Sequence, residues 1–122
     1  MLRIAVIADD LTGAADTGVQ LARAGYRTAV IFHGEEAPSA GLDAVSLDTD
    51  SRTRPAGFAA KRVLEASRKV RDARIVYKKL DSTLRGNVAA ELSAAVGATR
   101  RRRVVVALAF PAAGRTTVDG VQ

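Results

Sequence analysis

Cysteine and tryptophan are absent from this chain of 122 residues, and histidine occurs once, at His33. Without cysteine there is neither a disulfide nor a thiolate metal site. His33 has no acidic or histidine neighbour at an obvious ligand spacing, so it reads as a surface residue, and no metal site is expected. Aromatic residues make up only 4%. The core must therefore be aliphatic, and the stacking platforms used by single-stranded nucleic acids are missing. Long apolar runs are missing as well. The opening segment reaches Asp9 and Asp10 too soon for a signal peptide or a membrane span, so it reads as a buried strand of a cytoplasmic protein with no membrane partner. There is no GxGxxG loop, Walker A loop, HExxH helix or nucleophile elbow, so neither a dinucleotide fold nor a serine hydrolase has support.

Hydrophobic residues supply 48% of the chain, enough for the core of one domain. The formal charge is +6 and the pI about 10.5. Such a balance favours polyanionic partners, and much of the excess sits in Arg100–Arg103. The competing reading is a solvated loop whose cations complement a helix C-terminus.

Five apolar runs read as strands: LRIAVIA, RTAVIF, DAVSL, RIVYKK and VVVALAF. Helices are expected over residues 14–24, stopped by Gly25, from Pro55 to about Val70, and from Val88 to about Val96 with Asn87 as N-cap. Residues 33–41 read as a loop. Strands alternating with helices of this length predict an α/β, three-layer fold: a mostly parallel sheet of about five strands with helices on both faces. In such sheets ligands bind in the crevice at the carboxyl ends of the strands.

Three polar motifs fall at those ends. Asp9-Asp10-Leu11-Thr12-Gly13 follows the first strand. Either aspartate can accept hydrogen bonds from substrate hydroxyls or act as a base, and either can instead cap the next helix. Thr12 opens a helix whose N–H groups suit an anion. Asp48-Thr49-Asp50-Ser51-Arg52 follows the third strand. It offers acceptors, a hydroxyl and a guanidinium fork for a carboxylate or phosphate, or an Asp–Arg pair ordering its own loop. Lys78 to Asn87, KKLDSTLRGN, follows the fourth. The two lysines alternate in facing, so one enters the crevice. Asp81, Ser82, Thr83, Arg85 and Asn87 add polar groups, and Gly86 allows close backbone approach to a ligand. A fourth string, FPAAGRTTVDGVQ, carries Arg115 and has no apolar run after it, so the chain is expected to be a piece of something longer. Together these turns predict a site for a small, polar, anionic molecule.

The strings IADDLTGAADTGVQLARAG, DTDSR, YKKLDSTLRGN and FPAAGRTTVDGV resemble, in this order, the N-terminal sugar-binding domain of the four-carbon acid sugar kinase family. The resemblance implies an ATP-dependent kinase of threonate, erythronate or their oxo relatives, with ATP and Mg2+ as cofactors. It implies that Asp9 and Asp10 hold or deprotonate substrate hydroxyls. It gives Arg52, Lys79, Arg85 and Arg115 the carboxylate or transferring phosphate, and Ser82, Thr83 and Asn87 further hydrogen bonds; Thr12, Asp50, Ser51 and Asp81 complete the expected substrate-binding set. It also implies a separate C-terminal nucleotide-binding domain, which this chain lacks. Residues 1–122 are accordingly read as a partial sugar-acid-binding domain, inactive alone as a kinase and partnered by the missing domain, with homo-oligomer formation left open.

The alternatives are a non-catalytic sugar-acid-binding remnant and, less favoured, a basic nucleic-acid-binding module using Arg100–Arg103. A response-regulator receiver domain shares the acidic pair, but it wants Lys before the proline that ends its last strand. Here that residue is Phe110.

Overall fold

The computed structural model describes residues 1–36 and 41–122, so part of the loop expected over 33–41 lies outside the described residues. Strand β1 (Ile4–Ala8) leads into helix α1 (Leu11–Arg23), followed by β2 (Thr28–Ile31), β3 (Ala44–Asp48), α2 (Ala56–Lys69), β4 (Ile75–Lys78) and α3 (Val88–Thr99). A short 3-10 turn, Pro111–Ala113, comes last. The sheet is wholly parallel, in the order β2-β3-β1-β4. Register sets Ala8 beside Asp48, and Ile7 beside Lys78. The carboxyl ends of β1, β3 and β4 therefore finish level with one another.

Burial follows from the alternation of side chains along each strand. Ala5, Ile7, Val45, Leu47 and Ile31 cluster with Val63 of α2 and Ala95 of α3. On the opposite face, α1 lies close to the sheet through small residues. Gly13, Ala14 and Gly18 are buried there, and the Ser46 hydroxyl donates to the Ala14 carbonyl at 2.7 Å. The result is three layers: α1, the sheet, and α2 with α3.

Strands and helices fall where the pattern puts them, with one correction. Residues 104–110, expected as a fifth strand, form no strand, and Val105 is 91% exposed. Only an isolated bridge links Phe110 to Arg115. Propensity alone does not make a buried parallel strand; it needs a paired edge and a covering layer on each face. Among the described residues no α-helix follows 110 to supply the second layer. The Arg100–Arg103 run partly closes the chain's own turns. Arg100 is the left-handed C-cap of α3, and the Arg101 guanidinium donates to the carbonyls of Arg71 and Ala73.

The contact of α1 with the sheet is tight enough to test. A Cβ on Gly18 would sit 2.8 Å from Val30 Cγ2, a short, rotamer-limited side chain. Gly18→Val should lower stability by about 1–3 kcal/mol, the usual cost of overpacking, as read by urea unfolding. Unchanged stability would mean that α1 sits further from the sheet than described.

Candidate functional site

Arg52 occupies the centre of the crevice. Its loop is shaped locally: Asp50 adopts a left-handed φ of 44°, and the Asp48 carboxylate accepts the Asp50 N–H at 2.8 Å, an Asx turn. Burial pushes the Asp48 carboxyl up from its ordinary value. The N–H groups of Ser51 and Arg52 both donate to the Asp9 carbonyl, at 2.9 and 3.1 Å, which fixes the loop to the end of β1. The guanidinium then grips Asp9 bidentately, Nε and Nη2 each at 3.0 Å. Nη1 reaches Asp10 Oδ2 at 2.7 Å, and Nη2 lies 3.8 Å from Asp81 Oδ1. One cation thus joins carboxylates from two strand ends. Its pKa is raised, chiefly by the hydrogen bonds to Asp9.

The two adjacent aspartates divide their work. Asp9 is almost wholly buried, its side chain 5% exposed against 28% for Asp10. Asp10 caps α1, with Oδ1 accepting the Gly13 N–H at 2.9 Å, while Oδ2 stays with Arg52.

At the end of β4 the lysines point apart. Lys78 turns inward to Glu91 at 2.8 Å. Lys79 lies on the α1 side, near Gly13, and donates to the Leu80 carbonyl at 2.7 Å. Asp81 organises the following turn. It accepts from the Thr83 N–H and hydroxyl at 3.0 and 2.5 Å, and from Arg85 Nη2 at 2.8 Å. The Arg85 guanidinium, more than any other neighbour, holds the Asp81 carboxyl far below the ordinary carboxylate range. Gly86 has a φ of +89°, and a Cβ there would meet Asp9 Oδ2 at 2.9 Å. Its close approach is to the Asp9–Arg52 pair.

A cavity of about 1130 Å³ opens over these ends. Asp10, Thr12, Arg52, Lys79, Asp81, Ser82, Arg85 and Arg115 all line it, so most of the expected site residues converge. Arg115 reaches it from the last turn, donating to the Ser82 hydroxyl at 2.6 Å. The other expected residues stand off the cavity wall. Asp9 lies beneath Arg52. Asp50 pairs with Arg54 and Arg62 at 2.8 and 3.0 Å, the self-ordering arrangement anticipated for its loop. Ser51 is fully buried, with its hydroxyl on Glu91 at 2.6 Å. Thr83 is engaged by Asp81. Asn87 stands at the N-cap of α3 without a side-chain capping bond. It instead donates to the Arg54 and Ser51 carbonyls, at 2.8 and 3.3 Å.

Glu91 escaped the sequence reading. Its one signal was being the sole charged residue of an otherwise apolar or small helix, VAAELSAAVGAT.

Two outcomes follow. Because the folded pKa of Asp81 lies below its unfolded value of 3.8, its contribution to stability is full above that value. It is lost as pH falls below it. Thermal unfolding should show stability falling as pH drops below about 4, with a shallower decline in Asp81→Asn; identical slopes would refute this. Gly86→Ala places a side chain in left-handed backbone and should cost about 1–2 kcal/mol, measurable by chemical denaturation.

Three comparisons with known proteins bear on this site. A family model described as "Sugar-binding N-terminal domain" matches residues 4–122. A D-threonate kinase of Salmonella typhimurium is 48% identical over 98% of this chain and 29% of its own length. A D-erythronate kinase of Heliobacterium modesticaldum is 41% identical over 98% of the chain and 29% of its own length. A 3-oxo-tetronate kinase of Methylobacterium radiotolerans is 35% identical, over 98% and 30%. The chain thus spans under a third of these relatives. A solved domain of unknown function from Bordetella bronchiseptica, a domain-swapped dimer with bound citrate, superposes with a TM-score of 0.73 at 37% identity, over 79% of this chain and 26% of that one.

Proposed function

This chain belongs to the sugar-binding N-terminal domain family, and on that premise we propose that it is the substrate-binding part of an ATP-dependent kinase of four-carbon sugar acids. The observation that carries the reading is the convergence of Asp10, Arg52, Lys79, Asp81, Ser82, Arg85 and Arg115 on one cavity. A short hydroxylated carboxylate needs cations for its acid end and acceptors for its hydroxyls. Both are at hand. Lys79 and Arg115 have no carboxylate partner within 4 Å among the described residues, so their charge is free for an anion. Arg52 and Arg85 add positive charge beside them, their forks already held by Asp9 and Asp81.

Of the two catalytic candidates, Asp10 is the one that meets substrate. Asp10 lines the cavity and is the more exposed of the two, whereas Asp9 lies buried under Arg52. Asp10 would orient the attacking hydroxyl and accept its proton, and Asp9 would hold Arg52 in place. Phosphoryl transfer depends mainly on such positioning and on charge neutralisation. The citrate on the solved relative, a hydroxylated carboxylate, is of the same chemical class.

ATP and Mg2+ are implied for such kinases, but the residues here do not fit them. The chain has no glycine-rich phosphate loop, and the carboxylates of Asp9, Asp10 and Asp81 already face Arg52. The nucleotide is therefore assigned to a further domain, of the kind the longer relatives have room for. Among the described residues no helix is long and apolar enough to cross a membrane. The cytoplasm is the proposed location.

Calorimetric titration of the chain with D-threonate, D-erythronate and 3-oxo-tetronate tests the reading. At least one should bind, more weakly as salt is raised. Lys79→Ala should weaken binding about tenfold, the loss of roughly 1.4 kcal/mol. Binding of none of the three would overturn it.

A further inference from the structure

Behind the cavity wall lies a buried ionic group that meets the cavity only through Lys78. Glu91, in the first turn of α3, is 2% exposed. Its two oxygens serve two different strand ends. Oε1 accepts the Ser51 hydroxyl at 2.6 Å, from the loop after β3. Oε2 pairs with Lys78 Nζ at 2.8 Å, from the end of β4. The Lys78 ammonium also donates to the Lys79 carbonyl at 2.9 Å, so the pair reaches the peptide that leads into Leu80.

Proton counting fixes the direction of the network. Beside an ammonium the Glu91 carboxylate only accepts, so the single Ser51 hydroxyl proton goes to it. Thr49 Oγ1 donates to the Ala8 carbonyl at 2.8 Å and packs against the Ser51 hydroxyl at the same distance. The chain of contacts runs from α3 through Ser51 and Thr49 to the end of β1. Asn87, the N-cap residue of α3, donates to the Ser51 and Arg54 carbonyls of the same loop. Residues 49–54 are thus tethered to α3 at two points, and Arg52 stands between them.

We propose that Glu91 is a positioning residue, which sets where Arg52 stands relative to Lys79 and so tunes affinity for the anionic substrate without touching it. This rests on the sugar-acid reading only for the identity of the ligand. A buried ion pair is weak evidence of stabilisation, since an apolar pair of similar volume often serves as well. Its position beside the loop that carries Arg52 points to another role, and the two-ended grip on separate strand ends supplies one.

The test compares three variants of the 122-residue chain. Ser51→Ala cuts the tether to the loop and leaves the Lys78–Glu91 pair intact. Glu91→Gln keeps the shape and removes the charge. Val63→Ala, in the core and away from the loop, is the control for general destabilisation. The first readout, without ligand, is amide exchange of Ser51 and Arg52, whose N–H groups donate to the Asp9 carbonyl. The second is the dissociation constant for D-threonate. Ser51→Ala and Glu91→Gln should speed exchange at these two amides about tenfold beyond the change in Val63→Ala, as loss of a hydrogen bond to a charged group implies. They should also weaken D-threonate binding about tenfold, whereas Val63→Ala should leave it unchanged. Should Glu91→Gln fail to fold, Ser51→Ala decides alone. Exchange no faster than in the control, or unaltered affinity beside faster exchange, would overturn the proposal. If the wild-type chain binds no sugar acid, the functional reading fails separately, and exchange alone judges the positioning role.

Discussion

The Arg52 guanidinium is the constraint on which the crevice depends. Three carboxylates lie within 4 Å of it, from the ends of two strands. Brought together without a cation, Asp9, Asp10 and Asp81 would repel one another in a partly buried place. Removing one partner from a buried pair costs about 3–5 kcal/mol, because a charge is left uncompensated. Arg52 is therefore part of the fold as well as of the site. That double role explains why Asp9 is buried although it carries a charge, and why Gly86 must come so close to it. A side chain at position 86 would press on the ion pair itself.

The sheet supplies the geometry that makes this possible. Parallel strands in level register bring β1, β3 and β4 to an end at the same height. The turns that follow then face one another over α1 on one side and α3 on the other. Small residues let α1 sit close to the sheet, which carries its N-terminus, Asp10 and Thr12 to the rim of the cavity. Beneath the rim a layer of polar residues, Thr49, Ser51, Lys78 and Glu91, joins the loops from behind. The cavity wall is thus charged on both sides. The front is left for a ligand, and of the layer behind it only Lys78 also borders the cavity.

Much of this was legible in the sequence. Continuous apolar runs gave β1 and β3, glycine and proline marked helix ends, and polar strings at strand ends located the crevice. The opposite facing of Lys78 and Lys79 follows from strand alternation alone. Less could be read where tertiary partners decide. Val104–Phe110 has the composition of a strand and no layer to cover it. Asp50 and Ser51 belong to a motif that looks like a donor and acceptor set, yet both turn away from the cavity to order the loop that presents Arg52. Asn87 has the residue type of an N-cap, but the carbonyls of the neighbouring loop compete for its amide. Glu91 lies within a helix rather than at a strand end, and only the packing of α3 reveals its contacts with Lys78 and Ser51.

The account stands or falls on whether the strand-end turns form one binding site organised by Arg52. A crystal structure of the chain with D-threonate tests this most directly. The sugar acid should lie in the cavity, with its polar atoms within hydrogen-bonding distance of Asp10, Arg52 and Lys79. Density for it elsewhere on the molecule, or in the cavity but out of reach of Arg52, would contradict the account.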